Sequence, residues 1–75
     1  MNAVQLKMAR VALDLGVKEA AIVAGVSHDT ITRLEAGASV KQSTAEKVQR
    51  ALEELGVEFI AENGGGLGVR LRNPP

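Results

Sequence analysis

The chain has 75 residues, 45% of them hydrophobic, and Phe59 is its only aromatic residue. These numbers allow one small domain with an aliphatic core and leave no room for a deep catalytic cleft. The absence of cysteine removes disulfides, thiolate metal sites and cysteine nucleophiles. No apolar run reaches the roughly 20 residues of a membrane span, and the N-terminus lacks a signal-peptide pattern, so we expect no membrane partner and a cytoplasmic location.

Nine basic side chains balance nine acidic ones, but the two signs are unevenly distributed. The first 50 residues are mildly basic, whereas four glutamates and no bases lie between residues 51 and 69. One face could therefore meet phosphates, although such a charge run is more often an ordinary solvated surface.

Apolar residues at helical spacing predict a first helix over residues 3–15, which neither Gly nor Pro interrupts. They are Val4, Leu6, Met8, Val11, Leu13 and Leu15. A second helix is predicted from about Val17 to Ala24, with Gly16 as its N-cap and Gly25 at its end.

Two further helices are predicted from their end signals. Ser27 is a suitable N-cap for a third helix that stops at Gly37. For the fourth helix, we predict that Ser43 is the N-cap, that Ser43 and Glu46 form a capping box, and that the helix ends at Gly56.

After Gly56 the apolar period changes to strict alternation around the glycine-rich segment ENGGGLG, which predicts a β-hairpin. Its apolar residues either cover the core of one chain or form a dimer interface with a second chain. They are Val57, Phe59, Val69 and Leu71. The predicted fold is mainly α: a compact helix-turn-helix domain of four or five helices over residues 1–56, the hairpin over residues 57–72, and a disordered tail over residues 73–75.

The segment AGVSHDTITRLEAG, residues 24–37, predicts two helices that meet in a rigid corner. Gly25 supplies a backbone shape that other residues resist, and the apolar Val26, Ile31 and Leu34 fill the angle between the helices. Four polar residues then lie on the remaining face of the third helix, whose N-terminal part could enter a major groove of DNA. They are His28, Asp29, Thr32 and Arg33.

The segment VKEAAIVAGVSHDTITRLEAG resembles the helix-turn-helix of the Cro and phage-repressor family, often called the XRE family. Residues 4–55 fit the layout of that family, and the tail GVEFIAENGGGLGVRLR is similar to one that follows this domain in small bacterial regulators. The resemblance implies a homodimer that binds a double-stranded DNA operator on the bacterial nucleoid and represses transcription, often of mobile-element genes, without a cofactor.

By the same resemblance, the four polar residues of the third helix face the bases. Arg33 can offer two parallel donors to a guanine edge, and Thr32 can either bond a base or place its methyl group against thymine. Asp29 can accept from a cytosine amine and His28 can donate to a phosphate or a base. Alternatively, Asp29 is only a helix-start charge, His28 is an unused surface residue, and Arg33 pairs with Asp29.

The family also implies phosphate contacts and an internal ion pair. The candidate phosphate contacts are Lys18, Ser27, Thr30, Lys41, Gln42, Ser43 and Thr44. Many members carry Gln at the position of Val17, and Val cannot make the phosphate contact that this Gln makes. Arg10 and Glu35 occupy positions that commonly form a buried ion pair between the first and third helices.

An enzymatic function is not expected. His28 is the only histidine, so it has no second His or Cys with which to build a metal site. The run GGGLG lacks the Gly-Lys-Ser/Thr ending of a nucleotide-binding loop. Two rivals to a DNA-binding repressor stay open: an antitoxin-like regulator that also binds a protein partner, and a protein-binding module on the same fold.

Overall fold

The computed structural model describes residues 1–72, and the predicted mainly α fold with a short hairpin is confirmed. Four helices precede an antiparallel two-stranded sheet: α1 (Ala3–Ala12), α2 (Val17–Ala24), α3 (His28–Glu35), α4 (Gln42–Glu54), β1 (Val57–Ile60) and β2 (Gly68–Leu71). The predicted tail, residues 73–75, lies outside the described residues. None of the described helices is long and apolar enough to cross a bilayer.

Helix α1 is three residues shorter than its apolar pattern predicts. It begins with a capping box, in which the Asn2 side chain accepts from the backbone N–H of Gln5 and the Gln5 side chain accepts from that of Asn2. It ends at Ala12 because Asp14 adopts a left-handed conformation, with φ of 57°, which Asp tolerates better than most residues. The remaining predicted residues, through Leu15, form the turn into α2.

The predicted ends of α2 and α3 are confirmed to within two residues. Gly16 is the N-cap of α2, and its N–H donates to the Glu19 carboxylate at 2.7 Å. Ser27 is the N-cap of α3, which ends at Glu35 with Gly37 just beyond it at φ of 76°.

The predicted capping box of α4 is wrong. Its N-cap is Lys41, whose carbonyl accepts from the N–H groups of Thr44 and Ala45, both at 3.0 Å. Helical hydrogen bonding therefore begins before Ser43, which lies inside the first turn. Glu46 is exposed in the second turn.

One aliphatic core joins the helices to the hairpin. Its fully buried members are Leu6, Ala9, Ile31, Val48, Leu52 and Val57. The predicted apolar stripe of α1 is only partly correct, because Val4 and Val11 remain 58% and 68% exposed. Ala9 takes the inward position instead, since its small side chain lets α1 approach its neighbours closely.

The hairpin covers this core with one face. Val57 pairs with Leu71 and Phe59 with Val69, and all four side chains pack on the core. On the opposite face, Glu58 and Arg70 form an ion pair. The apolar hairpin residues thus serve the chain's own core.

A buried polar side chain fastens the hairpin to α1. The side-chain amide of Gln5 donates to the carbonyl oxygens of Ile60 at 2.9 Å and Gly68 at 3.0 Å. Only 5% of Gln5 is exposed, so these bonds form away from water and hold both strands at once.

Candidate nucleic-acid interface

Helices α2 and α3 meet in a rigid corner at residues 25–27. Gly25 takes a left-handed conformation with φ of 68°, which suits glycine, and the Val26 N–H donates to the Ala21 carbonyl at 3.0 Å. Ile31 is fully buried behind the turn, and Val26 packs against the core. The ammonium of Lys47, on α4, donates to the Gly25 carbonyl at 3.1 Å. Helices α2 and α4 therefore fix the direction of α3.

The outer face of α3 carries the four predicted base-contact residues, and His28, Asp29, Thr32 and Arg33 are all exposed. The Thr32 hydroxyl donates to the His28 carbonyl one turn earlier, at 3.2 Å. This bond fixes the orientation of the Thr32 side chain within that face.

Arg33 is tied to the segment that follows α3. Its guanidinium donates to the Ser39 carbonyl at 3.1 Å. The alternative that Arg33 pairs with Asp29 is wrong, since the ion pairs within residues 1–72 are Arg10–Glu35 and Glu58–Arg70. A guanidinium has five N–H donors, so several stay available to a ligand.

The hydroxyls at the start of α3 form a local pair. Ser27 Oγ accepts from the Thr30 N–H at 3.1 Å and lies 2.8 Å from Thr30 Oγ1. One of the two hydroxyl protons bridges the pair, which leaves the other available to an acceptor such as a phosphate oxygen.

The other predicted phosphate contacts lie on both sides of α3 in the chain. Lys18 is exposed in the first turn of α2. Lys41, Gln42 and Ser43 are exposed at the start of α4, and Thr44 there is half-buried. The bond from Arg33 to Ser39 links the exposed face of α3 to the loop that leads into this second group.

A shallow depression of about 300 Å³ lies beside Thr32, where three helices approach one another. Its lining residues are Lys7, Val17, Thr32, Glu35 and Ala36. The depression therefore joins the exposed face of α3 to the first residue of α2 and to α1.

Arg10 and Glu35 form a two-pronged ion pair between α1 and α3. Arg10 Nε lies 2.7 Å from one carboxylate oxygen of Glu35, and Nη2 lies 3.0 Å from the other. Arg10 also donates to the Leu15 carbonyl at 3.1 Å. The hydrogen bond to Glu35 raises the pKa of Arg10 above its ordinary, already high value, so the guanidinium stays charged.

Two residues beside this surface were missed from the sequence. Lys7 borders the depression, and its position one turn before Arg10 on α1 is a signal that it faces the same way. Lys47, on α4, bonds to the Gly25 carbonyl in the turn before α3. No local sequence pattern predicts this bond, because the two residues are 22 positions apart.

Residues 1–72 contain no cluster of three or more His, Cys, Asp or Glu that could hold a metal ion. The side chains on the exposed face of α3 offer hydrogen-bond donors and charge instead. An exposed helix face with a guanidinium, an imidazole and hydroxyls, mounted on a rigid corner, can recognise the edges of bases in a groove.

A family model described as a helix-turn-helix domain matches residues 3–58. This match begins with the first residue of α1 and extends two residues into β1. No curated protein matches the sequence at a significant level.

Proposed function

This chain belongs to the helix-turn-helix domain family, and on that premise we propose that it is a sequence-specific, double-stranded DNA-binding regulator of the XRE type. It binds a palindromic operator as a homodimer and represses transcription by occupying the promoter. The observation that carries this proposal is the exposed face of α3, which presents His28, Asp29, Thr32 and Arg33 from a corner that α2 and α4 hold in place.

In the proposed complex, the exposed face of α3 lies in the major groove, with the N-terminal end of the helix entering first. Arg33 donates two parallel hydrogen bonds to a guanine, with its guanidinium positioned by the Ser39 carbonyl. Asp29 accepts from a cytosine amine, and His28 donates to a base or a phosphate.

Phosphate contacts flank the recognition helix and set its register on the duplex. Lys18 contacts the DNA phosphates on one side of α3, and residues 41–44 contact them on the other side. Ser27 and Thr30 contact the phosphates at the start of α3. The backbone N–H groups of the first turn of α4 add to the last group, because the positive end of a helix favours phosphate.

The homodimer places its two α3 helices about 34 Å apart, one turn of the duplex. Val57 cannot contribute to the interface because it is completely buried within the chain. Phe59, Val69 and Leu71 are only half-buried, so their outer surfaces stay accessible to a second copy.

Selection of bound duplexes from a random DNA pool tests the proposed function. The protein is expected to enrich a palindrome with half-sites one turn apart. Arg33→Ala is expected to relax selection at a single guanine position in each half-site and to weaken binding to the selected duplex by about 1–3 kcal/mol for each half-site, because each subunit loses its two-donor contact.

Two variants serve as controls for the selection. Arg33→Lys keeps the charge but lacks the planar two-donor fork, so it should bind more weakly than wild type and keep only part of the guanine preference. Arg50→Ala removes an exposed charge from α4 and should keep the full preference. An equal weakening on every sequence in Arg33→Ala would show that Arg33 contacts no base, and that it either binds a phosphate or fastens the loop through Ser39. Failure to enrich any duplex at low salt would overturn the proposed function in favour of a protein partner.

A further inference from the structure

The contacts of Thr32 point to one class of base. We propose that Thr32 and Val17 together form an apolar contact for the 5-methyl group of one thymine in each half-site, so that Thr32 reads this base through its methyl group and not through its hydroxyl. The inference rests on the proposed function, since it needs α3 in a major groove of DNA.

The hydroxyl of Thr32 is already committed within α3. Its proton lies in the bond to the His28 carbonyl, at 3.2 Å, which directs Oγ1 back along the helix. The γ-methyl occupies a different staggered position on Cβ, and the residue as a whole is exposed. The hydroxyl proton is therefore not free to donate to a base, and a contact through the γ-methyl group leaves the bond to His28 intact.

Val17 places a second apolar side chain beside Thr32. Both residues line the depression of about 300 Å³, although they come from different helices. Val17 is half-buried against the core, so its position is fixed by packing. A thymine methyl projects into the major groove, and apolar side chains are the groups that distinguish it from the bare edge of cytosine.

The charges at the rim of the depression are compatible with DNA. Lys7 is exposed there and can face a phosphate. Glu35 also borders the depression, but both of its carboxylate oxygens are engaged by Arg10. The acidic side chain that lines the depression is thus compensated by a guanidinium.

The experiment replaces single thymines of the selected operator by deoxyuridine, which lacks only the 5-methyl group, and measures Kd by fluorescence anisotropy. At one position in a half-site, the wild-type protein should bind the uracil duplex about fourfold more weakly, the effect of one buried methyl group. Thr32→Val keeps the methyl group without the hydroxyl and should retain the fourfold difference in Kd between the two duplexes. Thr32→Ser keeps the hydroxyl without the methyl group and should lose most of the difference between the two duplexes, with only Val17 left to contact the thymine methyl.

Two further variants separate the contact from general effects. Val17→Ala should reduce the uracil penalty at the same position, because it removes the second apolar wall. Val11→Ala makes the same chemical change as Val17→Ala at an exposed position of α1 and should leave the penalty intact. Circular dichroism checks that each variant is folded.

The outcomes distinguish this inference from the proposed function. If an operator is selected but no thymine shows a uracil penalty, or if Thr32→Ser keeps the penalty and Thr32→Val loses it, the methyl contact is wrong while DNA binding stands. If no operator is selected, both are wrong.

Discussion

Replacing Glu35 with alanine is expected to lower the free energy of unfolding by about 3 kcal/mol. The substitution leaves the Arg10 guanidinium, whose side chain is only 18% exposed, without its carboxylate partner. Stranding a buried charge costs about 3–5 kcal/mol, and the lower end applies because part of Arg10 reaches water. For a chain this small, the melting temperature should fall by roughly 15 °C, which thermal denaturation followed by circular dichroism measures directly.

Three comparison variants show whether the loss comes from the stranded charge. Glu46→Ala removes an exposed carboxylate from α4 and should change the stability by no more than about 0.5 kcal/mol. Glu35→Gln keeps a hydrogen-bond acceptor and should cost less than Glu35→Ala. The double variant Arg10→Met with Glu35→Leu should recover most of the stability, because it removes both charges together. An unchanged melting temperature in Glu35→Ala would refute a structural role for the pair.

Replacing Gln5 with leucine is expected to cost about 3 kcal/mol and to release the hairpin first. Leucine has a similar volume but cannot donate to the carbonyl oxygens of Ile60 and Gly68, or accept from the Asn2 N–H. Each buried polar group left without a partner costs about 1–3 kcal/mol, and water can recover part of this at the strand ends. Hydrogen exchange should show lost protection across residues 57–71 before the helices are affected.

Gln49→Leu is the matched control for this prediction. Gln49 donates to Glu53 on the same helix at 3.3 Å, so its loss should cost no more than about 0.5 kcal/mol and leave hairpin exchange unchanged. If Gln5→Leu instead retained wild-type exchange in the hairpin, the apolar contacts of Val57 and its neighbours would be sufficient to hold the sheet.

The proposed recognition surface, the exposed face of α3, has contacts that pre-arrange its side chains. The Ser39 carbonyl holds Arg33, the His28 carbonyl holds Thr32, and Lys47 supports the turn before α3. Ordering a flexible side chain on binding costs roughly 0.5–1.5 kcal/mol. Part of this ordering is already complete in the folded chain, so we expect the proposed recognition surface to change little when a ligand binds.

The sequence by itself determined the order of the elements, and left only a choice between four and five helices, because local signals set where each element begins and ends. Gly25 and Gly37 end α2 and α3, because glycine readily adopts the left-handed backbone found there. The Ser27 side chain accepts from a backbone N–H in the first turn of α3. The alternation of apolar and polar residues after Gly56 indicates strands. The sequence also indicated the outer face of α3, since burial of Ile31 and Leu34 on one side leaves the polar residues on the other.

The tertiary structure alone decided where contacts distant in sequence form. The N-cap of α4 is Lys41 and not the predicted Ser43, because the Lys41 carbonyl already accepts helical hydrogen bonds from Thr44 and Ala45. Three contacts join different elements. Gln5 bonds to the hairpin, Lys47 bonds to Gly25, and Val17 lines the same depression as Thr32. Periodicity and capping depend on neighbours within about four residues, whereas these contacts depend on how packed helices bring remote side chains together.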